Sequence, residues 1–159
     1  MGTRFNKIWV LSLAGLCYGF LLLSTLSSNR AYAADVINKN SAGVVLKGYD
    51  VVAYFTEGKA VLGKKEFQQE WMGAKWQFAS AANRDLFAAN PAKYAAQYGG
   101  YCAYGVSEGH KAPIDPTVWK IVDGKLYLNY NAEVGKEWRK DIPGRIAKAN
   151  KNWPKVSKE

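Results

Sequence analysis

The chain has 159 residues, 48% of them hydrophobic, a formal net charge of +9, two cysteines and one histidine. A single histidine excludes any multi-histidine metal centre, and the length suits one domain with a modest hydrophobic core. No G-x-S-x-G, H-E-x-x-H or phosphate-binding glycine loop is present, so the common hydrolase, zinc-protease and nucleotide-binding signatures are absent.

In chain order, Arg4 and Lys7 precede an apolar run over 8–23, a polar stretch over 24–30 and then Ala31-Tyr32-Ala33. This is the three-part pattern of a secretory signal peptide over 1–33, cleaved near Ala33, and it places the protein in the periplasm or outside the cell. The rival reading is an uncleaved anchor, although sixteen apolar residues fall short of the about 20 that span a bilayer. A lipoprotein is excluded because Leu16, not a small residue, precedes Cys17. Removing 33 of 159 residues leaves 126, and the loss of Arg4, Lys7 and Arg30 takes the charge from +9 to +6. Cys17 leaves with the signal, so Cys102 has no intramolecular disulfide partner. It must be buried, liganded, capped or paired between molecules.

Residues 34–44 read as a flexible leader. Gly48-Tyr49-Asp50 introduces a β-branched and aromatic run over 51–55 that reads as a strand. A connector carrying Gly63 follows, with a short turn or strand over 67–71. Residues 75–79 alternate polar and aromatic side chains, which predicts a strand with Trp76 and Phe78 inward. Ser80 is the expected cap of a helix over 81–89 with Leu86 and Phe87 as apolar contacts, and Asn90-Pro91 starts a second helix through Tyr98. Gly99-Gly100 stops that helix in the manner of a left-handed cap, which predicts Cys102 just beyond a helix C-terminus.

Residues 98–111, Y-G-G-Y-C-A-Y-G-V-S-E-G-H-K, gather three tyrosines, four glycines, Cys102 and His110. They read as a shaped loop. Its soft thiolate and borderline imidazole are candidate ligands for copper or zinc, with Tyr49, Asp50, Tyr101, Tyr104 and Asp115 as candidate further ligands or pocket residues. Two protein ligands leave the site open for a partner ligand, a water or a second chain. Asp123-Gly124 between 118–122 and 125–130 is the strongest hairpin signal. Asn131 caps an expected helix to about Lys140, and Pro143 starts another to about Asn152, with Trp138, Ile142, Ile146 and Trp153 inward. A basic tail over 154–159 ends the chain. The pattern predicts an α+β fold: a small antiparallel sheet with a β-hairpin packed against several short helices.

Gly48-Tyr49-Asp50-Val51, Trp76-Gln77-Phe78-Ala79-Ser80, Asn83-Arg84, Phe87, Pro91, Tyr94 and the block Tyr98 to Gly105 resemble the YHS domain family, in its exported single-domain branch. The resemblance covers about 45–134 within an expected domain over 45–153. It implies a compact α+β module, and metal binding through cysteines in related domains of transporters and sensors. Those relatives carry F-C-S-x-x-C where this chain has Phe78-Ala79-Ser80-Ala81-Ala82-Asn83, so their thiols are missing and only Cys102 and His110 stand in.

Three functions follow. The first is metal handling through Cys102 and His110. The second is a thiol-based redox or catalytic protein with Cys102 as nucleophile and His110 as base, unsupported by any C-x-x-C motif. The third is a non-catalytic small-ligand, haem or structural module, with covalent c-type haem excluded by the missing C-x-x-C-H. An enzyme is not the favoured class, and haem stands behind copper and zinc as a cofactor. Nucleic acid is a poor partner for an exported chain. The basic C-terminal helices allow weak contact with a membrane surface, and the chain is a monomer or a dimer sharing a Cys102 site.

Overall fold

A computed structural model describes residues 36–159; the expected signal peptide, its cleavage near Ala33 and Cys17 lie outside the described residues. Ile37 is buried, and Asn38 donates its backbone N–H to Gly99 O at 2.8 Å and its side-chain amide to Gly100 O at 3.0 Å. From Val36 onward the stretch expected to be a flexible leader is thus docked. Gly99 makes the seat: at φ +60° a Cβ there would collide with the Val36 carbonyl.

A 3₁₀ turn, Leu46–Gly48, leads to Asp50, after which the expected strand over 51–55 is instead a helix, α1 (Ala53–Thr56). Asp50 Oδ1 accepts the N–H groups of Val52 at 2.8 Å and Ala53 at 3.2 Å, and this local hydrogen bonding overrides the β-propensity of the Val-Val pair. β1 (Lys64–Trp71) and β2 (Ala74–Phe78) form an antiparallel hairpin. Its turn residues Met72 and Gly73 both have positive φ, which suits a two-residue hairpin loop. Trp76 and Phe78 face inward as expected, and β1 takes in the short turn or strand expected over 67–71 and extends back into the connector.

α2 (Ala81–Ala89) is capped by Ser80, whose hydroxyl accepts Asn83 N–H at 3.2 Å. Phe87 is fully buried, but Leu86 is 43% exposed and makes no core contact of the kind expected. The single helix expected over 91–98 is a short α3 (Pro91–Tyr94) followed by a 3₁₀ turn, Gln97–Gly100. Ala95 and Ala96 take extended angles, and Tyr98, Gly99 and Gly100 all take positive φ, so the chain turns rather than continuing a helix.

The stretch expected as a glycine loop contains a helix, α4 (Ala103–Ser107). Cys102 therefore begins a helix instead of trailing one, and Gly105 lies inside it. β3 (Asp115–Val122) and β4 (Lys125–Asn129) form the expected hairpin about Asp123 and Gly124. α5 (Ala132–Arg139) is capped by Asn131, which accepts Val134 N–H at 2.9 Å. α6 (Ile142–Val156) starts at the Asp141 cap and runs through Pro154, so part of the expected basic tail is helical and Val156 is buried. Ile142, Ile146 and Trp153 pack half-buried around the fully buried Trp138.

These elements build two hairpins and six α-helices in an α+β arrangement. β4 lies between two cores. Leu126 and Leu128 belong to one with Trp76, Phe78 and Phe87; Tyr127 belongs to the other with Trp138, Val106, Ala149 and Val156. Alternation along one strand sends neighbouring side chains to opposite layers. No helix of the described residues is long and apolar enough to cross a membrane.

Candidate functional site

Cys102 reaches its place through β4. It bridges Leu128 in parallel register, and its N–H donates to Ala112 O at 3.0 Å, which folds the segment 103–112 back on itself. Its side chain is 1% exposed. The sulfur caps α4 by accepting Gly105 N–H at 3.4 Å and faces Asn129 Oδ1 at 3.7 Å, the thiol donating. Asn129 Oδ1 also accepts Tyr104 N–H at 3.1 Å. Burial pushes the thiol above its ordinary pKa, while hydrogen bonds from the Gly105, Tyr130 and Tyr104 backbone N–H groups pull it down without offsetting burial. Burial thus opposes the anion that the surrounding N–H groups would favour.

His110 is exposed. Its N–H donates to Gly105 O at 3.0 Å, and its ring Nε2 lies 3.4 Å from where a Gly105 Cβ would stand, beside Ala112 at 3.1 Å. Glycine at 105 thus lets the imidazole approach the first turn of α4. Both donors bear on this one residue, which places the sulfur and Nε2 no more than about 9 Å apart by backbone dimensions. A shared ion requires roughly 3.5 Å between a sulfur and a nitrogen ligand.

The other expected residues divide into two groups. Tyr101 and Tyr104 flank Cys102: the Tyr101 ring lies 6.3 Å from Trp153 and 5.4 Å from Lys111 Nζ, and the Tyr104 ring lies 4.3 Å beneath the Arg145 guanidinium. Tyr49, Asp50 and Asp115 instead gather about Tyr54, whose hydroxyl donates to Pro116 O at 2.8 Å. Burial first, and then those three neighbours, raise the Tyr54 pKa. Asp50 is fully committed. Its Oδ1 serves α1, and its Oδ2 accepts Ala79 N–H at 2.8 Å and the Asn83 amide at 2.7 Å. Asp115 accepts the Thr117 hydroxyl at 2.7 Å and backbone N–H at 2.8 Å, and these bonds hold its carboxyl below the ordinary range.

Among the described residues no three His, Cys, Asp or Glu side chains group as a metal site. The donors present are therefore one thiol and one imidazole. This does not fit a closed tetrahedral zinc centre, which needs four ligands.

Two contributors were not legible as such. Asn129 ends a strand whose other buried residues are apolar, and a polar residue at a core position is a readable sign of a fixed hydrogen bond. Arg145 lies forty residues beyond the site; it pairs with Glu108, donates to Ser107 Oγ at 3.4 Å and covers Tyr104. With Asn152, which donates to Val106 O and Ser107 O, it fastens α6 across α4.

A cleft of about 150 Å³ lined by Asn38, Lys47, Leu46 and Ile114 touches none of Tyr101, Cys102, Tyr104 or His110. It is smaller than pockets that hold organic cofactors, about 300 Å³ and above. No curated protein and no solved structure matches the chain. The family model of the YHS domain matches residues 52–98, from α1 to the turn just before the candidate site. That family is associated with metal binding through cysteine and histidine. The match makes residues 52–98 similar to the YHS domain, with Cys102 and His110 beyond the matched span.

Proposed function

We propose that the protein is an exported metal-handling protein that takes up one soft or borderline ion through the Cys102 thiolate and the His110 imidazole, with the ion as cargo. The observation that carries this reading is the convergence of the only imidazole and the only thiol of the described residues on Gly105. Copper(I) suits the pair better than zinc, because a thiolate selects soft ions and copper(I) accepts fewer ligands than tetrahedral zinc. Export rests on the charged, apolar and A-x-A pattern of residues 1–33. The ring of backbone N–H groups around the sulfur supports the thiolate once its proton leaves, and the exposed His110 is the outer donor that meets an incoming ion.

A thiol-based redox function has less support. A nucleophilic cysteine needs exposure and a lowered pKa, whereas Cys102 is 1% exposed and its pKa is raised by burial. The same burial disfavours a dimer joined through paired Cys102 residues.

The test is metal content of the purified protein by elemental analysis, with free thiol counted on the same samples, for the parent, Cys102→Ser and His110→Ala. Stoichiometric copper or zinc in the parent and none in either variant is the expected result. No metal in the parent after loading with copper(I), together with an unreactive thiol, would make Cys102 a core residue and end the metal reading. Rapid alkylation of the native thiol at neutral pH would favour the redox reading instead.

A further inference from the structure

Helix α6 has two unlike faces. Arg145, Asn152 and Trp153 turn toward α4 and its neighbours, and Ala149 and Val156 are buried. Lys148, Lys151, Lys155 and Lys158 are all exposed. At 3.6 residues per turn Lys148, Lys151 and Lys155 fall within about 60° of arc, away from the buried side, and span about 10 Å along the axis. Lys158 follows just past the end of α6, in a turn that its N–H closes by donating to Lys155 O at 3.0 Å.

The stripe is poorly neutralised. Lys155 pairs with Glu159 at 3.7 Å, while no acid of the described residues lies within 4.0 Å of Lys148, Lys151 or Lys158. Residues 142–159 hold five basic side chains against one acidic, a large part of the excess charge of the chain.

We propose that this face is an electrostatic docking surface for an anionic lipid bilayer. The four lysines are regularly spaced in a row, and the arc they define contains no aromatic or branched apolar side chain. A specific protein interface depends on buried aromatic or arginine anchors, and this face offers none. Mobile anionic headgroups need no such anchor: they gather under hydrated ammonium groups wherever these lie. Docking through this face leaves α4 and His110 on the other side of α6, open to solvent. The proposal does not depend on metal binding.

The full chain is mixed with vesicles of phosphatidylcholine, with and without phosphatidylglycerol, and treated with an amine-acetylating reagent; each lysine is then read by peptide mass. Protection of Lys148, Lys151, Lys155 and Lys158 on the anionic vesicles only is expected, with Lys59 and Lys65 reacting equally on both. The protection disappears when salt shortens the Debye length to about 3 Å. Each Lys→Gln change in the stripe weakens vesicle binding about fivefold, and all four together several hundredfold. Equal acetylation on both kinds of vesicle overturns the proposal. So does protection by soluble polyglutamate without protection by the anionic vesicles, which would assign the face to an acidic protein.

Discussion

Asp50 and Cys102 play equivalent parts at two helix starts that border one core, which holds Cys102 together with Val51, Val52 and Tyr54. Each is at most 1% exposed, each precedes a short helix, and each offers its side chain to that helix's unpaired N–H groups. Asp50 receives four hydrogen bonds of 2.7 to 3.2 Å and joins α1, the end of β2 and α2. Cys102 accepts the Gly105 N–H at 3.4 Å, gives one hydrogen bond at 3.7 Å and draws on the backbone N–H groups of Tyr104 and Tyr130 besides, joining only α4 and the end of β4. A carboxylate with all its lone pairs engaged is a fixed clasp. A thiol is a weak donor and a weak acceptor, so its partners can be exchanged at small cost, as a metal ligand requires.

The comparison is broken most directly at Asp50. Asp50→Ala leaves three backbone N–H groups and the Asn83 amide without their acceptor, and should cost about 4 kcal/mol or more in urea unfolding. Cys102→Ser should cost far less, about 1–2 kcal/mol, because it exchanges a weakly bonded thiol for a more polar hydroxyl at the same buried position. A Cys102→Ser variant as unstable as Asp50→Ala would show that the two caps are the same kind of clasp.

Gly105→Ala sharpens the chemical side. The added Cβ meets the Ala112 Cβ at 3.1 Å and the His110 carbonyl at 3.3 Å, so the 110–112 backbone that carries the imidazole must give by a few tenths of an ångström. Metal affinity should fall by about tenfold while the fold loses less than about 1 kcal/mol, since alanine favours the helix. Affinity read by competition with a chromogenic chelator checks this. The smallest change of this set is Asn131→Ala, which removes an ordinary side-chain cap from α5 and should cost about 1 kcal/mol.

Alkaline pH sets the buried thiol apart from the buried tyrosines without mutation. The Cys102 thiol has a raised pKa in the folded state, so its contribution to stability is complete below the unfolded value of about 8.5 and is lost as pH rises through the folded value. Buried Tyr54 and Tyr98 act in the same direction at higher pH, because burial raises both above the unfolded value of about 10. The urea midpoint should therefore decline in two stages above pH about 8.5, and Cys102→Ser should remove the first stage alone. A first stage that persists in Cys102→Ser would contradict the thiol assignment.

The sequence reading was strongest where a local cap or turn decided the structure. Ser80, Asn131 and Asp123-Gly124 mark α2, α5 and the second hairpin because each acts on residues within a few positions of itself. It failed where a distant partner decided. Residues 51–55 have strand composition, yet Asp50 caps them into a helix with support from Ala79 and Asn83. Residues 99–111 have loop composition, yet α6 holds Ala103–Ser107 as a helix through Arg145 and Asn152. For the site, Cys102 and His110 could be singled out by chemistry, but not the burial of one and the exposure of the other, because neighbours far along the chain set both.

The position of β4 between the two cores also fixes how the molecule opens. Three successive residues, Leu126, Tyr127 and Leu128, supply side chains to the two layers in turn, so neither layer can separate without removing the strand from the other. Amide hydrogen exchange at Leu126, Tyr127 and Leu128 should therefore follow whole-molecule unfolding, with one free energy for all three. An ion held at Cys102 as proposed, whose backbone bridges Leu128, would then leave by movement of α4 and the 108–111 segment over an intact strand, a local event that needs no unfolding.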